Sequence, residues 1–308
     1  MERVFLEKIF KLGRVPGGLL FYGKEGSGKT KTALDFSKGL LCQNKIAWGC
    51  GECPSCKYIS EFTEKFFREE IEDLKVYEDK EGKKQFVYLM GEHPDFIMVI
   101  PHGNYIKIDQ IRKVKEFAYI KPALSKRKVI VVDDAHAMTN QSANAILKVL
   151  EEPPPDTTFI LTTNKRSAIL PTIISRTFQV EFKGFSVLEI KKIAGVDDTL
   201  AKLSGGSLKK AILLKENRKL VEKVTNFLKN EPLEVFKIAT EFEKWDTDKQ
   251  RLFLDLLEHF LTEKALKDRE NVEQYSSILD KIRIFKEGIP RGINGSLWLV
   301  HISSQLSS

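Results

Sequence analysis

The sequence predicts an α/β domain built on a parallel sheet with a phosphate-binding loop, followed by all-helical segments. Three observations carry this. Through residue 182, short apolar runs alternate with helical stretches, the order from which parallel sheets are made. The first run, Gly18-Leu19-Leu20-Phe21-Tyr22, leads into Gly23-Lys24-Glu25-Gly26-Ser27-Gly28-Lys29-Thr30, a complete GxxxxGK[ST] pattern. From residue 183 onward the strand patterns stop and only helical periodicity remains.

Strands are expected at 19–22, 96–100, 129–132, 159–163 and 179–182. The run Val129-Ile130-Val131-Val132 is apolar throughout, as a strand covered on both faces must be. Between the strands, Asp109 is placed to cap a helix with Ile111, Val114 and Phe117 on one face. A second helix starts near Asn140 and is stopped by Pro153, Pro154 and Pro155. Residues 61–90 are charged and amphipathic and read as an insertion, a helix with a mobile hairpin. Residues 183–216 read as short helices broken by Gly195 and Gly205-Gly206, a small helical domain. Residues 217–308 carry longer periodicity, as in Phe253, Leu256, Leu257 and Phe260, and form an all-α domain.

A chain of 308 residues accommodates two or three domains, and 42% hydrophobic with 30% charged residues supports a packed core. The net charge of +7 suits work beside an anionic polymer, and equally a solvated surface rich in Lys and Glu. No apolar run approaches the ~20 residues of a membrane span, and the N-terminal stretch lacks a signal-peptide core. A cytoplasmic protein that does not engage membranes is expected.

Glycines in the 23–30 loop let successive backbone N–H groups turn inward around phosphates at a helix N-terminus. Lys29 then reaches the β- and γ-phosphates and the Thr30 hydroxyl ligates Mg²⁺, so ATP or ADP is the expected ligand. The acid strand that completes such a site is Val129–Val132 with Asp133 and Asp134 at its end. Asp133 is the candidate for the Mg²⁺ shell.

All four cysteines, Cys42, Cys50, Cys53 and Cys56, lie within fifteen residues. Two-residue gaps let thiolates converge on one tetrahedral Zn²⁺, and Gly49, Gly51 and Pro54 ease the turns between them. Four protein ligands leave no open position, so such a zinc is structural. Buried free thiols are the plainer alternative.

These segments, together with Gly91-Glu92-His93-Pro94-Asp95, the run 106–117, the run 128–154 and Leu170-Pro171-Thr172-Ile173-Ile174-Ser175-Arg176-Thr177, resemble the bacterial DNA polymerase III clamp-loader family of AAA+ proteins, its gamma/tau and delta-prime subunits. The resemblance covers about 1–215; residues 217–308 match only as a helical collar. It implies an ATP-dependent machine of several subunits that opens a ring-shaped sliding clamp and closes it around primer–template DNA, with the other loader subunits as partners in a hetero-pentamer. Lys29 and Thr30 match the phosphate-loop pair, Asp133 the magnesium acid, and Thr163 with Asn164 the region that senses the γ-phosphate. Arg176 matches an arginine finger that enters the neighbouring subunit's ATP site, where it neutralises developing charge.

Three positions depart from the family pattern. The usual Ser-Arg-Cys reads Ser175-Arg176-Thr177, which keeps the arginine. Asp134 stands where a Glu base activates water; it is either a shortened base or a solvated strand end. Lys209 replaces the lid arginine and lacks its planar fork. The last two weaken catalysis and favour the delta-prime branch, with ATP binding kept and hydrolysis weak or absent. A gamma/tau motor and a nucleotide-independent scaffold are the alternatives. Lys107, Arg112, Lys113 and Lys115 form a basic edge that faces either phosphates or solvent, and His93, His102 and His136 stand singly, structural or solvated.

Overall fold

A computed structural model of the chain describes residues 2–68, 76–78, 84–88, 93–268, 271–288 and 294–306. The chain divides into two compact units, Met1–Gly184 and Phe185–Ser308. The first begins with α1 (Glu2–Lys11), β1 (Gly18–Gly23), α2 (Lys29–Leu41) and α3 (Pro54–Phe67). Strands β2 (Val76–Glu78), β3 (Lys84–Tyr88) and β4 (Phe96–Val99) follow, then α4 (Ile108–Tyr119) and β5 (Lys128–Val132). The unit ends with α5 (Asn140–Glu151), β6 (Thr157–Thr163), α6 (Pro171–Ile174) and β7 (Phe178–Phe182).

One sheet runs in the order β2-β3-β4-β5-β6-β1-β7. Strands β4, β5, β6, β1 and β7 are mutually parallel, and these are the five read from the sequence. The hairpin β2–β3 adds two antiparallel strands at the β4 edge. These strands lie inside the charged insertion. An edge strand can be polar, so no apolar run announced them. The residues joining β2 to β3, where a mobile hairpin tip was expected, lie outside the described residues, as do Gly91 and Glu92.

Alternation along each strand builds two apolar layers. Leu19, Phe21, Val129, Val131 and Ile160 pack with α1, α2 and α3 on one face. Leu20, Ile130, Val132, Phe159 and Leu161 pack with α4 and α5 on the other. One expected cap is corrected: α4 starts at Ile108, before Asp109, and the Lys107 N–H donates to Gln110 Oε1 at 2.9 Å. Asp109 instead pairs with Arg112 at 2.8 Å. At α5 Thr139 Oγ1 accepts the Ser142 N–H, an ordinary threonine N-cap.

The second unit contains α7 (Val187–Ala194), α8 (Asp198–Leu203), α9 (Leu208–Glu216), α10 (Lys219–Leu228) and α11 (Pro232–Phe242). It continues through α12 (Thr247–Lys267), α13 (Val272–Gly288) and α14 (Gly295–Leu306). Ser186, Asp197, Ser207 and Asp246 cap α7, α8, α9 and α12. Gly195 ends α7 in a left-handed conformation. The short helices and the long ones share one apolar cluster extending from Ile190 to Ile302. No described helix in either unit is long and apolar enough to cross a membrane.

Candidate functional site

The phosphate loop is a turn that only glycines permit. A Cβ on Gly23 would lie 2.0 Å from the Phe182 carbonyl oxygen, and Gly28 precedes α2 with φ +86°. No side chain caps α2, so its first N–H groups remain open to an anion, with the helix dipole behind them. Lys29 is buried and its Nζ donates to the Gly23 and Lys24 carbonyls at 2.9 and 2.6 Å. Burial lowers its pKa, opposed by Asp134, Asp133 and Glu25. The ammonium thus rests inside the turn, held by two carbonyls and, at 3.4 Å, the Ser27 hydroxyl, contacts that a phosphate oxygen can replace.

Strand order brings the acid strand to this loop. β6 lies between β1 and β5, so Gly23, Asp133 and Asn164 all emerge at the same, C-terminal rim of the sheet. Thr30 Oγ1 donates to Asp133 Oδ1 at 2.7 Å across 103 residues of chain, and Thr162 Oγ1 donates to the same oxygen. Burial raises the Asp133 pKa to about 6, with Asp134 reinforcing it and the two hydroxyls and Lys29 opposing. A carboxylate held this way gains most from a cation. Asn164 Oδ1 is buried and has no hydrogen-bond partner among the described residues. Orphan acceptor, open helix amides and glycine cradle all fit a bound nucleotide with its Mg²⁺.

Asp134 has a left-handed backbone with φ 49°, and its N–H donates to Thr162 Oγ1 at 3.2 Å. Beside it stands His136, which sequence reading left single. His136 Nδ1 lies 3.8 Å from Asp134 Oδ1 and 3.3 Å from Thr163 Oγ1. Burial lowers its pKa, so the ring is held neutral. A 3-10 turn over Ala135–Ala137 brings it back to the strand ends, a tertiary detail that a lone histidine does not signal.

Arg176 lies elsewhere. It precedes β7, whose Phe178 is level with Leu19 of β1, so it sits at the N-terminal rim of the sheet. From there to Gly23 the strand takes about five steps of ~3.3 Å, beyond the reach of an arginine side chain. Its guanidinium pairs with Glu151 at 2.6 Å and donates to the Thr172 carbonyl at 3.0 Å. Lys209 is in the first turn of α9, in the second unit, and exposed.

The four cysteine sulfurs converge: all lie within 4.8 Å of one another, with Cys50 and Cys56 3.9 Å apart. Tetrahedral zinc–thiolate bonds of ~2.3 Å call for sulfurs about 3.8 Å apart, so the residues fit the ion. The Cys53 N–H and Asn44 Nδ2 both donate to Cys50 Sγ at 3.3 Å. The Cys53 backbone contact leads in lowering the Cys50 pKa to about 6, while burial raises Cys56 to about 12. The cluster folds against α2, where a Cβ on Gly39 would lie 1.8 Å from the Ala47 carbonyl oxygen.

Asp95 and His93 have structural work the sequence did not reveal. The fully buried Asp95 carboxylate accepts the N–H groups of Ala123, Leu124 and Ser125 at 2.7, 2.8 and 2.6 Å. His93 Nδ1 accepts the Asp95 N–H at 3.1 Å, and Nε2 meets Ser55 Oγ at 2.9 Å. Ser55 in turn contacts Ser125 Oγ, which donates to the Leu41 carbonyl at 2.9 Å. The cysteine module, α2 and the 123–125 segment are tied together by this chain of contacts.

A sheet of five parallel strands with a glycine phosphate loop facing an acid strand defines a P-loop α/β fold. The family model for DNA polymerase III, delta subunit, matches residues 3–186, and the chain belongs to that family. The chain is 34% identical over 163 residues to the DNA polymerase III subunit delta' of Pseudomonas aeruginosa, covering 52% of this chain and 41% of that protein. Against the delta' subunit of Bacillus subtilis it is 33% identical over 171 residues, 55% of this chain and 43% of that protein. A gamma/tau subunit of Mycobacterium tuberculosis is 32% identical over 177 residues, 56% of this chain and 25% of that protein. The matches thus span less than half of each relative. A crystal structure of a DNA polymerase III gamma subunit-related protein from Thermotoga maritima shares the fold, with a TM-score of 0.55, 22% identity and coverage of 99% of this chain and 98% of that one.

Proposed function

We propose that this chain is a delta-prime-type subunit of a bacterial DNA polymerase III clamp loader, acting in the cytoplasm with gamma/tau and delta subunits. In that reading it helps load the sliding clamp onto primer–template DNA. The observation that carries it is the Thr30–Asp133 hydrogen bond, which joins phosphate loop and acid strand into one prepared site. Gly23, Gly26, Ser27 and Gly28 turn their amides toward the phosphates, Lys29 exchanges its carbonyl partners for phosphate oxygens, and Asn164 donates from Nδ2 to the γ-phosphate, leaving its orphan Oδ1 to accept from water. Mg²⁺, when bound to Thr30 and Asp133, supplies charge neutralisation across the phosphates. Asp134 is the weak candidate base, and Lys209 the lid contact from a helical domain over 183–216. Residues 217–308 act as the assembly collar. Arg176 serves a neighbour's site, a role its distance from this chain's own loop supports.

Isolated chain should bind ATP and ADP with Mg²⁺ but hydrolyse slowly, and Lys29→Ala should abolish binding. Calorimetric titration and steady-state ATPase assays test both. Rapid turnover by the monomer would move the assignment to the gamma/tau motor, a reading the gamma/tau similarity keeps open. No nucleotide binding at all would leave a scaffold.

A further inference from the structure

At the N-terminal rim of the sheet, the end away from the phosphate loop, a groove of about 680 Å³ opens between the end of α1, the end of α2 and the 124–127 segment. Its floor is apolar: Phe10, Val15 and Leu40 are partly buried against the core, and Leu41 is fully buried. Its rim is cationic. Lys45 and Lys126 are exposed and form no ion pair among the described residues. Arg127 is half-buried, with its guanidinium donating to Thr158 Oγ1 at 2.8 Å. Lys11 also lines the groove but is paired with Glu7. Against these four cations the lining offers one carboxylate, Asp156.

The groove is built. Asp95 holds the N–H groups of Ala123, Leu124 and Ser125, and Ser125 Oγ donates to the Leu41 carbonyl, which ties the cationic segment to the floor. Cys42, at the end of α2, belongs to the same wall, so the cysteine module sets its position. This spacing between floor and rim does not have to be created on binding, which lowers the cost of ordering. Burying Lys45 and Lys126 under a neutral partner would be unfavourable; an acidic partner offsets that cost. A nucleic acid would find a single, partly buried ring, Phe10, on this floor, and successive bases need more than one such face to stack on.

We propose that this groove docks an acidic segment of another protein, with one or two apolar side chains on the floor and carboxylates against Lys45, Lys126 and Arg127. The inference stands apart from the nucleotide site, which lies at the other rim.

The test uses the whole 308-residue chain, purified without chelator, and a fluorescein-labelled octapeptide of Asp and Glu carrying one Leu and one Phe. Fluorescence anisotropy should show saturable binding that weakens as salt is raised. The exposed double variant Lys45→Glu/Lys126→Glu, checked for unchanged circular dichroism, should bind at least about tenfold more weakly. So should the peptide with Leu and Phe replaced by Gly. The proposal is overturned if the acidic peptide does not bind, if the double variant binds it equally, or if the apolar residues make no difference. It is also overturned if a labelled oligothymidylate displaces the peptide and depends on the same two lysines.

Discussion

Arg176 is joined to Glu151 by a 2.6 Å ion pair at the rim of the sheet opposite the phosphate loop. Glu151 ends α5 and Arg176 follows α6 by two residues, so the pair fixes an exposed guanidinium relative to the sheet. If Arg176 acts on a neighbouring subunit's nucleotide, Arg176→Ala should leave this chain's fold and its own nucleotide affinity unchanged. It should slow clamp- and DNA-stimulated ATPase at one interface of the assembled loader by ~10³-fold or more. Lys should rescue poorly, for want of the planar fork. Glu151→Gln, which leaves the arginine but loosens its aim, should cost about fivefold in kcat. ATPase of mixed assemblies carrying each variant in this subunit alone measures both; a wild-type rate with Arg176→Ala rules the finger out.

Asp133 predicts a conflict between stability and function. Its folded pKa of about 6 lies above the ordinary 3.8, so the native state binds this proton more tightly than the unfolded chain. The resulting penalty is absent below about pH 4, grows between pH 4 and 6, and is fully present above. The rise from 3.8 to about 6 corresponds to a penalty on the order of 3 kcal/mol. Asp133→Asn should therefore raise the Tm of the nucleotide-free chain at pH 8 and lose that advantage at pH 4, while abolishing Mg²⁺-dependent nucleotide binding. Thermal denaturation across this range is the check; an Asn variant less stable at pH 8 contradicts the account.

One zinc ion per chain is expected at Cys42, Cys50, Cys53 and Cys56, measurable by elemental analysis of protein purified without chelator. Structural sites of this kind contribute on the order of 10 kcal/mol of apparent metal binding energy. Cys53→Ser should release the ion and loosen residues 42–56, as seen by hydrogen exchange, while strands β1, β5 and β6 stay protected. Recovery of metal-free protein with a disulfide between any two of these cysteines would refute the site.

Asp95→Ala removes the acceptor of three backbone N–H groups in a buried position. Leaving such donors unsatisfied should cost about 3 kcal/mol or more. Chemical denaturation measures it. A change within 1 kcal/mol would mean that water replaces the carboxylate without loss.

The phosphate loop and the cysteine cluster were legible in the sequence because each is assembled from neighbouring residues. A cradle made of consecutive amides, or four sulfurs within fifteen residues, leaves its whole pattern in one stretch of chain. The five parallel strands were legible for a related reason, since burial on both faces forces a continuous apolar run. A hairpin was expected in the 61–90 insertion, but its pairing with β4 as an extension of the sheet was not legible, because an edge strand escapes that demand. Strand order decided the rest. It brought Thr30 to Asp133 across 103 residues and His136 to Thr163, and sent Arg176 to the opposite rim. It also aimed the Asp95 carboxylate at residues 123–125. Such contacts depend on which strands become neighbours and on which end of each strand a residue leaves, and only the folded sheet sets both.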